Sequence, residues 1–237
     1  MKRPRLWQIL IILFLVGFTN SCSLSGNSNL PAKRVLFIGN SFTAYNGGLD
    51  KLLTGLAPNT FASGITSGGY TLQQHWESAD TLAQIQSGDW DIVILQEQSQ
   101  NSIINYYNFF EYAKKLNAEI EKSGAETIIF MTWERPDSIQ YNVTTQALYK
   151  AYTALGQQLN VKVAPVGLAF ANALKERPDL KLYVEDGHPT LAGSYLASCV
   201  FYEIIYGESP VGNSFDAELS SEDIFFLQNI AAKTLGQ

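Results

Sequence analysis

The chain has 237 residues, 46% of them hydrophobic and 12% aromatic, with a formal net charge of −6. That length fits one ordinary domain with a sizeable core and argues against global disorder. Beyond the extreme N-terminus no Lys/Arg cluster occurs, so an electrostatic footprint for nucleic acid is missing and nucleic acid is excluded as a partner.

The chain opens with Lys2, Arg3 and Arg5, followed by the apolar run Ile9–Phe18. A basic start and an apolar stretch too short for a stable membrane span read as a secretion signal over residues 1–21. Ser21-Cys22 then resembles a bacterial lipoprotein processing site, although Thr19 stands where that pattern prefers Leu. Lipidation of Cys22 would tether the protein to a membrane as a periplasmic or cell-surface lipoprotein. Residues 22–31 are rich in Ser, Asn and Gly and read as a flexible tether, with the globular domain over 32–237. The second cysteine, Cys199, sits in an apolar helical run and reads as an inert buried thiol, so no disulfide framework is expected.

From there, short apolar runs alternate with amphipathic stretches. Residues 35–38 read as a buried strand and 49–56 as a helix. A helix over 71–85 precedes a strand over 91–95, and a helix over 107–122 precedes a strand over 127–131. A helix over 144–159, a strand over 161–164 and helices over 169–175, 191–206 and 221–234 complete the chain. The aromatic run Tyr106, Tyr107, Phe109 and Phe110 reads as core. Alternation of this kind predicts an α/β fold, a three-layer α/β/α sandwich around a mostly parallel, flavodoxin-like sheet. Such folds bind ligands beyond the carboxyl ends of their strands. The segments of interest are therefore Gly39-Asn40-Ser41, Gln96-Glu97-Gln98 and Thr132-Trp133-Glu134.

Ser41 stands on a tight turn between a strand and a helix, where nearby backbone N–H groups are free to stabilise an oxyanion. A serine nucleophile needs an imidazole to take its proton, and the chain has two histidines. His75 lies within an amphipathic helix beside Trp76 and reads as a packing or helix-surface residue. His188 lies in Glu185-Asp186-Gly187-His188-Pro189, a turn-rich loop ahead of a long helix, with two carboxylates close upstream. No Gly-rich phosphate loop follows any strand, which argues against a nucleotide or flavin module. Metal-ligand spacing is likewise missing, so no cofactor or metal is expected.

Residues 35–42, VLFIGNSF, resemble the first block of the SGNH/GDSL hydrolases, with Asn40 where most members have Asp. Asp186-Gly187-His188-Pro189, followed by Gly193 and a helix, is similar to their last block. The resemblance implies an esterase with Ser41 as nucleophile and His188 as base. It implies an oxyanion hole made of the Ser41 N–H, the Gly69 N–H and a side-chain amide, Gln96 in preference to Gln98. A short strand near 61–65 should then precede Gly69. The orienting acid is Glu185, in the family's usual slot, or Asp186 one step nearer. Asn40 and Trp133 are expected to line the substrate pocket, with the indole either against a sugar ring or as a rim aromatic that closes the core. An O-acylated, chiefly O-acetylated, carbohydrate is the expected substrate. The rival reading is a non-catalytic glycan-binding lipoprotein of the same fold, suggested by the departures at Asn40, Gln96 and Glu185.

Overall fold

The computed structural model describes residues 30–236. Cys22 and the leader lie outside the described residues. Five parallel strands form one sheet: β1 (Lys33–Gly39), β2 (Thr60–Thr66), β3 (Ile92–Leu95), β4 (Glu126–Phe130) and β5 (Lys162–Ala164), in the order β2-β1-β3-β4-β5. All pairings are parallel, so every strand ends on the same rim. The chain moves outward from β1 to β2 and then returns to β3. The crevice between β1 and β3 is thus the topological switch point where ligands enter such sheets.

Period-2 alternation of the strands feeds two apolar cores. Val35, Phe37, Ile94 and Phe130 face one side, under α2 (Leu49–Leu56), α8 (Val166–Glu176), α9 (Leu191–Tyr206) and α10 (Ser221–Leu235). Leu36, Ile38, Val93 and Ile129 face the other, under α3 (Leu72–Glu77), α4 (Ala79–Ser87), α6 (Tyr106–Lys122) and α7 (Thr145–Leu159). Two four-residue helices, α1 (Ser41–Ala44) and α5 (Asn101–Ile104), sit on the rim after β1 and β3. The three-layer α/β/α sandwich is therefore the observed architecture.

The expected helix over 71–85 is two helices. Ser78 adopts an extended backbone (φ −88°, ψ 115°) and caps α4 by accepting the Thr81 N–H. Both halves point apolar residues inward, which is why the pattern reads as continuous. The strand near 61–65 is present as β2, an edge strand with a half-exposed pattern that gives no apolar run. The aromatic run splits. Phe109 is fully buried and packs on Tyr152 at 4.9 Å, whereas Tyr107 is 86% exposed, so the expectation that the whole run is core is corrected. Helical spacing puts one face of α6 inside and leaves the other in water.

Helix α9 carries the rim loop that precedes it into place. Thr190 caps the helix through Gly193 N–H and donates to Lys181 O at 2.6 Å. Gly193 then lets the first turn approach the backbone, because a Cβ there would lie 2.1 Å from Leu182 O. Gly193→Ala is expected to push α9 off this loop and destabilise the fold by about 1–3 kcal/mol, as overpacking does. Urea unfolding would check it, and an unchanged midpoint would contradict the close-approach argument.

Candidate active site

The turn after β1 is built from buried polar atoms that bond one another. Asn40 N–H donates to Gln96 Oε1 at 2.9 Å, and Thr43 Oγ1 donates to the same oxygen at 2.9 Å. The Asn40 side chain caps α1 by accepting Phe42 N–H at 3.1 Å, and its Nδ2 donates to Tyr70 O at 2.9 Å. Gly39 has no room for a side chain here, since a Cβ would meet Gln96 Oε1 at 2.5 Å. Gly39 O accepts from Ser67 N–H at 3.3 Å and from His75 Nε2 at 2.8 Å. A carbonyl only accepts, so Nε2 carries the proton and Nδ1 takes the Thr81 hydroxyl at 3.1 Å. Burial holds His75 below the ordinary imidazole range, so this ring is a neutral strut under the turn.

Ser41 is the first residue of α1 and is half-buried. Its N–H has no partner among the described residues. The loop Ser67–Tyr70 is pinned beside it by the two bonds to Gly39 O and from Asn40 Nδ2. Within that loop Gly69 is exposed with φ +71°, and its N–H also lacks a partner among the described residues. Glu97 closes the far side: Oε1 accepts Gln98 N–H at 2.6 Å and Oε2 accepts Leu72 N–H at 3.3 Å. Burial pushes this carboxyl up to about 7 despite those bonds.

His188 reaches Ser41 from the opposite end of the chain. Its Nε2 lies 2.8 Å from Ser41 Oγ. Its Nδ1 lies 2.9 Å from Asp186 Oδ1, but the approach is off the N–H direction and makes a contact by distance without a well-aligned hydrogen bond. The same oxygen accepts the His188 backbone N–H at 3.0 Å. That bond first, and the ring second, hold the Asp186 carboxyl below its usual range. Tyr45 stacks on the imidazole at 4.3 Å, and Phe42 meets it edge-on at 5.6 Å. Asn46 Nδ2 ties the same turn to Pro189 O at 3.0 Å and Ser194 Oγ at 2.8 Å.

Several expected roles are not met by this geometry. Gln96 is fully buried, with Oε1 under Asn40 and Thr43 and Nε2 donating to Glu97 O at 2.6 Å, so its amide supports the turn and does not face the rim. Gln98 is half-buried. Its Oε1 accepts from Gln100 N–H at 2.9 Å and Asn101 N–H at 3.2 Å, leaving Nε2 unbonded among the described residues. Asn40 is 3% exposed and is a cap, not a pocket wall. Trp133 is 1% exposed with both ring faces covered, by Phe42 at 4.4 Å and Phe170 at 4.2 Å, so no sugar can stack on it. Glu185 is exposed and makes no bond to His188, while Asp186 does the facing. Sequence reasoning missed Tyr45 and Asn46; the Tyr45-Asn46-Gly47-Gly48 turn composition was the available signal. It also left His75 as general packing.

Among the described residues no three His, Cys, Asp or Glu side chains converge as metal ligands.

Several solved structures share this fold. One match is a candidate SGNH hydrolase from Slackia heliotrinireducens, with 24% identity and a TM-score of 0.65 over 74% of this chain and 100% of that one. This is the SGNH/GDSL hydrolase fold. A DUF4886 family protein from Bacteroides uniformis shares it at 18% identity and TM-score 0.67, over 86% of this chain and 95% of that one. A lipase/acylhydrolase from Enterococcus faecalis shares it at 17% identity and TM-score 0.57, over 74% and 96%. No protein-family model and no curated protein matches the chain.

The carboxylate that faces His188 is exposed and poorly aligned. In an assay of the esterase activity proposed below, Asp186→Asn is therefore expected to lower turnover by much less than the roughly 10⁴-fold that follows loss of a buried triad acid. Glu185→Gln is expected to leave it unchanged. Steady-state kinetics on a chromogenic ester checks both, and a large loss with Glu185→Gln would reverse the assignment.

Proposed function

We propose that this protein is a serine esterase that removes O-acyl groups, chiefly O-acetyl, from carbohydrates through an acyl-enzyme on Ser41. The 2.8 Å contact between Ser41 Oγ and His188 Nε2 carries the reading. His188 takes the hydroxyl proton while Oγ attacks the acyl carbon. The developing oxyanion is received by Ser41 N–H and Gly69 N–H, with Gln98 Nε2 as the side-chain donor nearest in sequence that is still free. His188 then passes its proton to the leaving alcohol oxygen. Water, deprotonated by the same imidazole, attacks the acyl-enzyme and releases the acid and free Ser41. No cofactor takes part in these steps.

The carbohydrate and acetyl preferences follow from the family resemblance of the sequence and from the expected cell-surface address. The experiment is hydrolysis of p-nitrophenyl acetate and of acetylated oligosaccharides by the domain, against Ser41→Ala. Ser41→Ala is expected to lose at least about 10³-fold of the turnover, in keeping with removal of a nucleophile. Equal rates would remove the esterase reading and favour a glycan-binding protein without turnover. Preference for long-chain or thioester substrates in the same assay would move the substrate class and leave the mechanism standing.

We further propose that Cys22 is lipidated and anchors the enzyme to a membrane. Radiolabelled palmitate is expected to enter the wild-type protein and not Cys22→Ala, with the variant recovered in the soluble fraction. Label retained by the variant would sink the anchor.

A further inference from the structure

We propose that Trp133 is a positioning residue that sets the separation of Ser41 and His188. The inference rests on the reading of those two residues as nucleophile and base. Trp133 follows β4 and is 1% exposed. Its indole lies flat between two rings, Phe42 at 4.4 Å and 4° and Phe170 at 4.2 Å and 6°. Phe42 is covalently next to Ser41. The indole Nε1 donates to Gly187 O at 3.0 Å, and Gly187 is covalently next to His188. One rigid ring therefore touches the immediate neighbour of each reacting residue.

The chemistry of the contact makes it more than filling. Gly187 has φ +85°, a conformation other residues rarely adopt, and rotation about it would swing His188. The buried indole N–H makes no other bond among the described residues, so a shift of the Gly187 carbonyl would leave it unsatisfied. Arg135 walls the other side of Gly187, since a Cβ there would lie 2.6 Å from Arg135 Cγ. Arg135 is itself held by Asp137 through bonds of 3.1 and 3.0 Å. The stacked ring stops the Ser41 side from tilting, and the N–H stops the His188 side from sliding. Reacting groups displaced by about an ångström lose on the order of 10²-fold in rate.

A residue that only fills the core would be replaceable by another aromatic ring; a positioning residue needs its N–H. The test compares wild type, Trp133→Phe, Phe170→Leu and Ser41→Ala on p-nitrophenyl acetate, each at a temperature where circular dichroism finds it folded. Trp133→Phe is expected to lower kcat roughly 10- to 100-fold with KM changed by less than about twofold. Phe170→Leu, which loosens the outer face of the stack and keeps the N–H, is expected to lower the melting temperature and keep kcat within about threefold. Should Trp133→Phe not fold, benzothienylalanine at position 133 keeps the ring volume and replaces N–H by sulfur, with the same loss expected. Wild-type kcat in either N–H-less variant, or an equal kcat loss in Phe170→Leu, overturns the inference alone. Wild-type turnover no greater than that of Ser41→Ala removes the nucleophile assignment and the inference with it.

Discussion

Polar atoms shut away from water at the end of β1 can find partners only in one another, and that constraint shapes the site. Asn40 N–H and Thr43 Oγ1 converge on Gln96 Oε1, while Gly39 O collects His75 Nε2 and Ser67 N–H. Each bond is worth about 1 kcal/mol net, yet leaving any one of these groups unpaired costs about 1–3 kcal/mol. The knot therefore holds as a unit. It joins three strand ends at the switch point of the sheet, and Ser41 stands on top of it with its own N–H unpartnered among the described residues.

The histidine arrives by a different route. His188 is 147 positions from Ser41 in the chain, on a loop held by side chains from several segments. Asn46 binds that loop at Pro189 and Ser194, and Tyr45 lies against the imidazole. Trp133 takes the Gly187 carbonyl from beneath. The Asp186 contact is the least directional of these, because one oxygen of a carboxylate two residues upstream accepts the His188 backbone N–H and also faces the ring. Stacking on Tyr45 and the anchored loop thus hold the imidazole alongside the Asp186 contact.

Much of this was legible beforehand. Contiguous apolar runs such as 35–38 and 91–95 are what a doubly covered parallel strand requires, so sheet and layers followed from pattern alone. Ser41 and His188 were legible because a strand-to-helix turn and a Gly-Pro-flanked loop are unusual surroundings for those residue types. The edge strand β2 was not legible from periodicity, since its exposed side removes the apolar run. The break at Ser78 was hidden because both flanking helices bury the same face.

What the sequence determined by itself was the alternation of elements, the rim on which chemistry would gather, and the candidate pair Ser41 and His188, whose side chains meet at 2.8 Å. Only the tertiary structure decided which way the side chains of Gln96, Gln98, Asn40 and Trp133 turn. Amides and indoles serve equally well as ligand contacts or as partners for buried backbone, and the local sequence is the same in both cases. The choice depends on which unpaired N–H or carbonyl groups the rest of the fold brings within about 3 Å. For Gln96 and Trp133 the distant partners are the Asn40 N–H, the Thr43 hydroxyl and the Gly187 carbonyl, which reach them only once the sheet has closed.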